Sequence, residues 1–166
     1  MLLTLFLALV LCGAMTLMLV SAVAFVGDRR LFSSAPKEAR QVLRDRDEEL
    51  FLGARAMGWA LVLMSVLMVV VGVFVIAVTD GLRNGFSFGR FFMRNVTILT
   101  IYKLFDMCFF DWLLLCRFHF FQHYYPEVAP VYAGMSYGFN IKSQLLKLLV
   151  VFPALSALAG WACVQL

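Results

Sequence analysis

The apolar positions of this chain fall in four long runs rather than in the short periodic stretches of a soluble domain. Read from the residues alone, the runs are 2–26, 52–78, 96–116 and 145–164. Each is long enough to cross a bilayer, which takes about 20 predominantly apolar residues. Backbone N–H and C=O groups cannot stay unpaired in hydrocarbon, so each run is expected to be a helix. The pattern predicts an all-α, polytopic membrane protein in which four transmembrane helices form one bundle. That bundle, residues 1–166, uses up the chain and leaves no separate soluble domain.

Polar positions dominate only between the runs. After Gly27, Asp28, Arg29 and Arg30, the residues Ser34, Pro36 and Glu38 make an acceptable helix start. Ala39, Leu43 and Leu50 then recur on one side, while Arg44 with Glu48 and Arg46 with Glu49 can pair on the other. This spacing predicts a cytoplasmic amphipathic helix on the membrane surface that runs on into the second span. Its acidic and basic residues balance, which reads as a solvated face rather than a strong anchor on anionic lipid. In the second span Ala54 precedes Gly58 by four and Ala56 precedes Ala60 by four, a spacing that lets helices approach closely. The next connection, 79–90, carries Gly81, Gly85 and Gly89 among Phe86, Phe88 and flanking Phe91 and Phe92. It reads as an interfacial loop with aromatic anchors, and Arg90 and Arg94 are candidates for contact with anionic lipid phosphate.

Composition agrees with the pattern: 63% of the 166 residues are hydrophobic, and the mean hydropathy is +0.91. The formal charge of +4 matters less than its placement. Arg29, Arg30, Lys37, Arg40, Arg44, Arg46 and Arg55 flank the first connection and Arg117, Lys142 and Lys147 the third, against Arg83, Arg90 and Arg94 at the second. Short loops rich in Lys and Arg stay in the cytoplasm. Both termini are therefore expected outside the cell membrane, with the first and third connections inside. The first run lacks a basic start and is long for a secretory signal, so residue 1 is expected to begin the mature protein. The four cysteines form no Cys-x-x-Cys pair and read as small packing residues. No cofactor motif and no basic array for nucleic acid is present; the partners expected are the bilayer itself and a second copy or another membrane protein.

The third run alone combines an apolar composition with ionisable groups, Lys103, Asp106 and Asp111. A charge at the bilayer centre costs about 2.5 to 3.5 kcal/mol even on the lenient insertion scale, so such groups face protein or water. On a helix, Asn95, Tyr102, Asp106 and Arg117 lie within about 60° of one another with Lys103 beside them. Lys103 and Asp106 are at pairing distance, three residues apart. Asp111 is expected either to find a partner in Arg94, Arg117, Lys142 or Lys147, or to be held protonated by burial. The seam reads either as an ion-pair network locking the helices or as a proton or cation path. Asp106 and Asp111 stand roughly 140° apart, so they cannot share a metal from one helix.

Beyond Cys116 the stretch Arg117–Glu127 brings His119, His123 and Glu127 at intervals of four, a spacing that stacks metal ligands on a helix. Pro126 interrupts that helix, and an aromatic interfacial belt is the plainer reading. Gly134-Met135-Ser136-Tyr137-Gly138 matches the G-x-S-x-G pattern of serine hydrolases, yet no strand precedes it and no histidine follows it, so no catalytic residue is assigned. Pro153 is expected to kink the last span, where Ser156 and Gly160 form another small pair.

The run Tyr102, Asp106, Asp111, Trp112, Cys116, with Tyr137-Gly138-Phe139-Asn140-Ile141-Lys142 at the head of the last span, resembles a family of small bacterial four-helix integral membrane proteins of uncharacterised activity. The resemblance covers about the last 70 residues and implies the four-span fold in a bacterial cell membrane, with no activity attached. The expected function is that of a non-enzymatic, oligomeric or accessory, transport-related membrane subunit. The alternative is a membrane enzyme acting on a lipid or isoprenoid at the cytoplasmic interface through Asp111, Arg117, His119, His123 and Glu127.

Overall fold

The computed structural model describes residues 1–32, 35, 37–46, 49–134 and 141–165. Among them every regular element is helical and none is a strand. Helix α1 is Leu2–Val26, α2 Lys37–Val42, α3 Ala54–Arg83 and α4 residues 88–117. Then follow α5, Phe120–Tyr124, α6, Ala129–Tyr132, and α7, Lys142–Gln165. Three of these, α1, α3 and α7, are long and apolar enough to cross a membrane. α4 has the length, with 18 α-helical residues followed by 12 wound as a π-helix. Its charges at Lys103, Asp106 and Asp111 keep it out of that group.

The helix ends differ from the hydropathy pattern where side chains overrule it. α3 continues past residue 78 to Arg83 and α4 begins at Phe88, so the connection shrinks to residues 84–87. The cause is Arg94, whose guanidinium binds the Ala77 carbonyl and the Asp80 carboxylate and so holds the last turn of α3 in helical form. Phe91, expected as an interfacial anchor, is buried beneath Phe86 and against Gly81, where a Cβ would run into its ring.

The amphipathic helix expected before the second span is shorter than its pattern. α2 ends at Val42, and Leu43–Arg46 is not helical. Ala39 and Leu43 are buried as the pattern demands, but Leu50 is exposed. Arg46 turns to the Ala24 carbonyl and Glu49 caps Gly53 through its N–H, so these two do not pair. Gly53 has φ +86°, a left-handed turn that separates the loop from α3. Ser34, Pro36 and the Arg44–Glu48 pair involve positions outside the described residues, as do Met135, Ser136 and the segment through Asn140.

The chain forms two compact units. The first comprises Met1–Ala14, Leu67–Met107 and Phe139–Leu166. Here the α-helical part of α4 packs along the second half of α7. Ser156, Gly160 and Cys163 make the buried stripe of α7, and the missing side chain of Gly160 lets the Phe92 backbone come close. Pro153 follows directly on the wide π turn Lys147–Val151. That turn supplies room for the ring where an α turn would present a clashing carbonyl.

The second unit comprises Met15–Val66 and Cys108–Gly138. Ala54, Gly58, Val62 and Ser65 form the buried face of early α3. Gly58 sits against Phe25 and Val26 at the end of α1, so its small-residue spacing serves packing within the chain. A compact core joins Val23, Phe32, Ala39 and Leu43 to Tyr125, Val128 and Tyr132. Phe32 meets the rings of Phe121 and Tyr125 edge to face, at 5.0 and 5.3 Å. Of the aromatic residues after α4, Tyr125 and Tyr132 are core, Phe120, Phe121 and Tyr124 pack half-buried against it, and Phe118 points outward at 65% exposure.

Candidate functional site

The ionisable groups of α4 are distributed over both units. In the first unit Lys103 pairs with Asp106 across one helical turn, and both side chains are sheltered, at 7% and 20% exposure. Tyr102 and Asn95 are half-buried in the same unit. One helical turn and more towards the N-terminus, Arg94 forms a second buried pair with Asp80 at 2.7 Å, its side chain only 7% exposed. Its guanidinium also lies over the Phe86 ring, 4.3 Å from the centroid. Asp80 is held in turn by the Asn84 amide, which donates to it at 3.0 Å. Arg94 is therefore turned into the protein, while Arg90 stays exposed beside Phe86. Both pairs set an opposite charge at contact, and the Arg94–Asp80 pair adds the further hydrogen bonds and the ring that favour a buried charge.

In the second unit Asp111 is half-buried and Arg117 exposed. Asp111 lies close enough to Tyr132 to add to the effect of burial, and together they push the Tyr132 hydroxyl up to about 12. Tyr125 behaves alike: burial raises it to about 12, with Arg46 opposing and Glu127, Asp45 and Asp28 adding to the rise. The Tyr125 hydroxyl has no hydrogen-bond partner among the described residues. In the unfolded chain tyrosine sheds its proton near pH 10, whereas the folded core holds these two protons towards 12. Stability is thus complete below pH 10 and falls between pH 10 and 12. A tyrosinate absorbance titration followed beside circular dichroism is expected to show ionisation and loss of structure together in that window. Tyr125→Phe should shift the loss to higher pH; an unchanged alkaline midpoint would remove Tyr125 from its cause.

His119, His123 and Glu127 do not come together. α4 ends at Arg117, His119 adopts a left-handed conformation with φ +52°, and Tyr125 is extended, so the four-residue stacking is broken on both sides. Both histidines are exposed, and the Glu127 carboxylate accepts the N–H of Arg44 at 3.2 Å. Among the described residues no three His, Cys, Asp or Glu side chains are placed to hold a metal ion.

A different cluster sits where α1 ends and α3 begins. Gly27, at φ +70°, closes α1 by returning its N–H to the Ala22 carbonyl, and its own carbonyl accepts from Arg46 at 3.0 Å. The Arg46 guanidinium binds the Ala24 carbonyl and lies 5.5 Å from the Tyr124 ring centroid. Arg55 reaches back from the first turn of α3 to the Arg46 carbonyl at 2.7 Å. These bonds frame a cleft of about 280 Å³ walled by Asp28, Arg30, Asp45, Arg46, Arg55 and Trp59. None of Asp111, Arg117, His119, His123 or Glu127 lines it.

From the sequence, Arg55 counted only towards loop charge, and Arg46 towards loop charge and a pair with Glu49. Trp59 one turn into a span, facing the Asp28-Arg29-Arg30 end of the preceding one, was the available signal. No protein-family model matches the chain, and neither a curated protein nor a solved structure shows significant similarity to it.

Proposed function

We propose that this chain is a four-span integral protein of the bacterial cell membrane with both termini outside. It works without catalysis, as an oligomeric or accessory, transport-related subunit whose polar α4 is locked into its own fold. The observation that carries this reading is the pairing of the buried cations: Lys103 is matched by Asp106, and Arg94 by Asp80, Ala77 and Phe86. Arg94 ties α4 to the end of α3, while the Lys103–Asp106 pair neutralises a sheltered charge within α4 itself.

The packing of the second unit supports the span count. Val23 at the end of α1 shares one core with Tyr125, Val128 and Tyr132, which follow α4. The end of α1 and the segment after α4 therefore lie on one side. If α3 leaves that side across the bilayer, α4 is the helix that must return. The Lys and Arg residues in and flanking these two connections, ten against three at the second, support a cytoplasmic position for that side.

The test is the paired substitution Lys103→Met with Asp106→Leu. A lock of two opposite charges can be replaced by apolar side chains at little cost. The double variant is expected to keep its thermal midpoint within a few degrees of the wild type, along with its size in detergent and any partner captured with it. A well-folded double variant that loses a proton or cation flux shown by wild-type proteoliposomes would overturn the lock and make the pair a conducting element.

A further inference from the structure

The cleft between the end of α1 and the start of α3 has a composition that the helix lock does not use. Its two carboxylates are committed to the turn beside them. Asp28 accepts the Arg30 backbone N–H at 2.8 Å, and Asp45 accepts the Arg29 N–H at 2.9 Å and faces its guanidinium at 3.6 Å. The arginines are less fully used. Arg46 keeps its Nε–H buried with no acceptor, and the Arg30 side chain has no acceptor among the described residues. Three guanidinium groups against two aspartates leave the wall with an excess of one positive charge.

A buried N–H without a partner is destabilising, and the cost is recovered when an acceptor arrives. Guanidinium groups are the preferred donors to phosphate, because their planar fork matches its oxygens. The volume is near the lower end of the roughly 300 to 1,000 Å³ found for small-ligand sites, enough for a phosphate ester and its head alcohol. The cleft also has an apolar continuation. Trp59, 44% exposed, forms one wall, and Leu63 and Val66 follow it on the exposed side of α3 at helical spacing. A tryptophan at the mouth with an apolar stripe below it matches a molecule whose head is polar and whose tail lies along a membrane helix.

We propose that this cleft binds the headgroup of an anionic glycerophospholipid. The phosphodiester sits between Arg30, Arg46 and Arg55, the glycerol backbone rests on Trp59, and one acyl chain lies along Leu63 and Val66. The single negative charge of the lipid offsets the excess positive charge of the wall. Basic recesses at the ends of membrane helices are a recognised form of lipid headgroup site. The inference needs α1 and α3 to cross a membrane and does not depend on the role of Lys103 and Asp106.

The test uses the full-length protein in a neutral detergent with Trp112 and Trp161 changed to phenylalanine, so that Trp59 is the only indole. Dihexanoylphosphatidylglycerol is titrated and Trp59 fluorescence followed, with dihexanoylphosphatidylcholine and inorganic phosphate titrated in parallel. The anionic lipid is expected to give a saturable change that weakens with salt. Arg30→Gln, whose side chain makes no bond within the described fold, is expected to weaken that binding at least tenfold while leaving the thermal midpoint unchanged. Four results would overturn the proposal: no saturable change, an equal response to phosphatidylcholine, saturation by inorganic phosphate alone at the same concentration, or undiminished binding by Arg30→Gln.

Discussion

Replacing Asp80 with alanine is expected to destabilise the protein by about 3 to 5 kcal/mol, because it strands a buried guanidinium. Arg94 keeps its bond to the Ala77 carbonyl and its place over Phe86, but loses its only carboxylate among the described residues. Its Nε lacks an acceptor among the described residues, so the group has no reserve of partners there. The Arg94 side chain is only 7% exposed and lies over the Phe86 ring, while the Asp80 side chain is 30% exposed. Thermal unfolding in detergent should show a large drop in midpoint. Replacing the pair together, Arg94→Met with Asp80→Leu, is expected to recover most of the loss. An Asp80→Ala variant as stable as the wild type would mean that the pair is solvated rather than buried. Arg94→Lys should not rescue anything, because an ammonium cannot bind the Ala77 carbonyl and the Asp80 carboxylate with one planar fork.

The second large effect concerns Gly58. A Cβ there would stand 2.7 Å from the Phe25 Cβ and 3.0 Å from the Val26 backbone nitrogen, and backbone cannot move aside as a side-chain tip can. Gly58→Val is therefore expected to cost about 3 kcal/mol, at the upper end of ordinary overpacking. It should also separate the end of α1 from the start of α3. Gly13→Ala supplies the contrast, because nothing lies within 4 Å of its added methyl group. There the change should be neutral or stabilising by up to about 1 kcal/mol through helix propensity. The two variants compared in one thermal series separate contact from composition: equal midpoints would show that Gly58 is not a packing residue.

How far these features were legible before the structure depends on the distance over which each interaction acts. The apolar runs were legible because burial in lipid is a property of twenty consecutive residues, and α1 was placed to the residue. The Lys103–Asp106 pair was legible because helix geometry fixes neighbours three apart. The Arg94–Asp80 pair was not, since its partners are 14 residues apart on two helices and depend on the turn between them. The aromatic residues from Phe120 to Tyr132 illustrate the same limit. Their composition suits a membrane interface and a small core equally, and only the contacts with Phe32, Ala39 and Leu43 decide for the core. The arginine cleft was hidden for a further reason, because Arg46 is oriented by main-chain carbonyls of Ala24 and Gly27 that leave no mark on the side-chain pattern.

The composition of the core in the second unit also orders events during synthesis. Gly58 joins α3 to α1 across a short stretch of chain, so this hairpin can close as soon as both helices have emerged. The core of Val23, Phe32, Ala39 and Leu43 must wait for Tyr125, Val128 and Tyr132, which the ribosome adds more than 80 residues after Leu43. Until then, one apolar face of the nascent loop stays uncovered, and closing it carries the entropic delay of a long-range contact. The protein thus acquires its helical hairpin, with the arginines of the cleft, early and its aromatic core late.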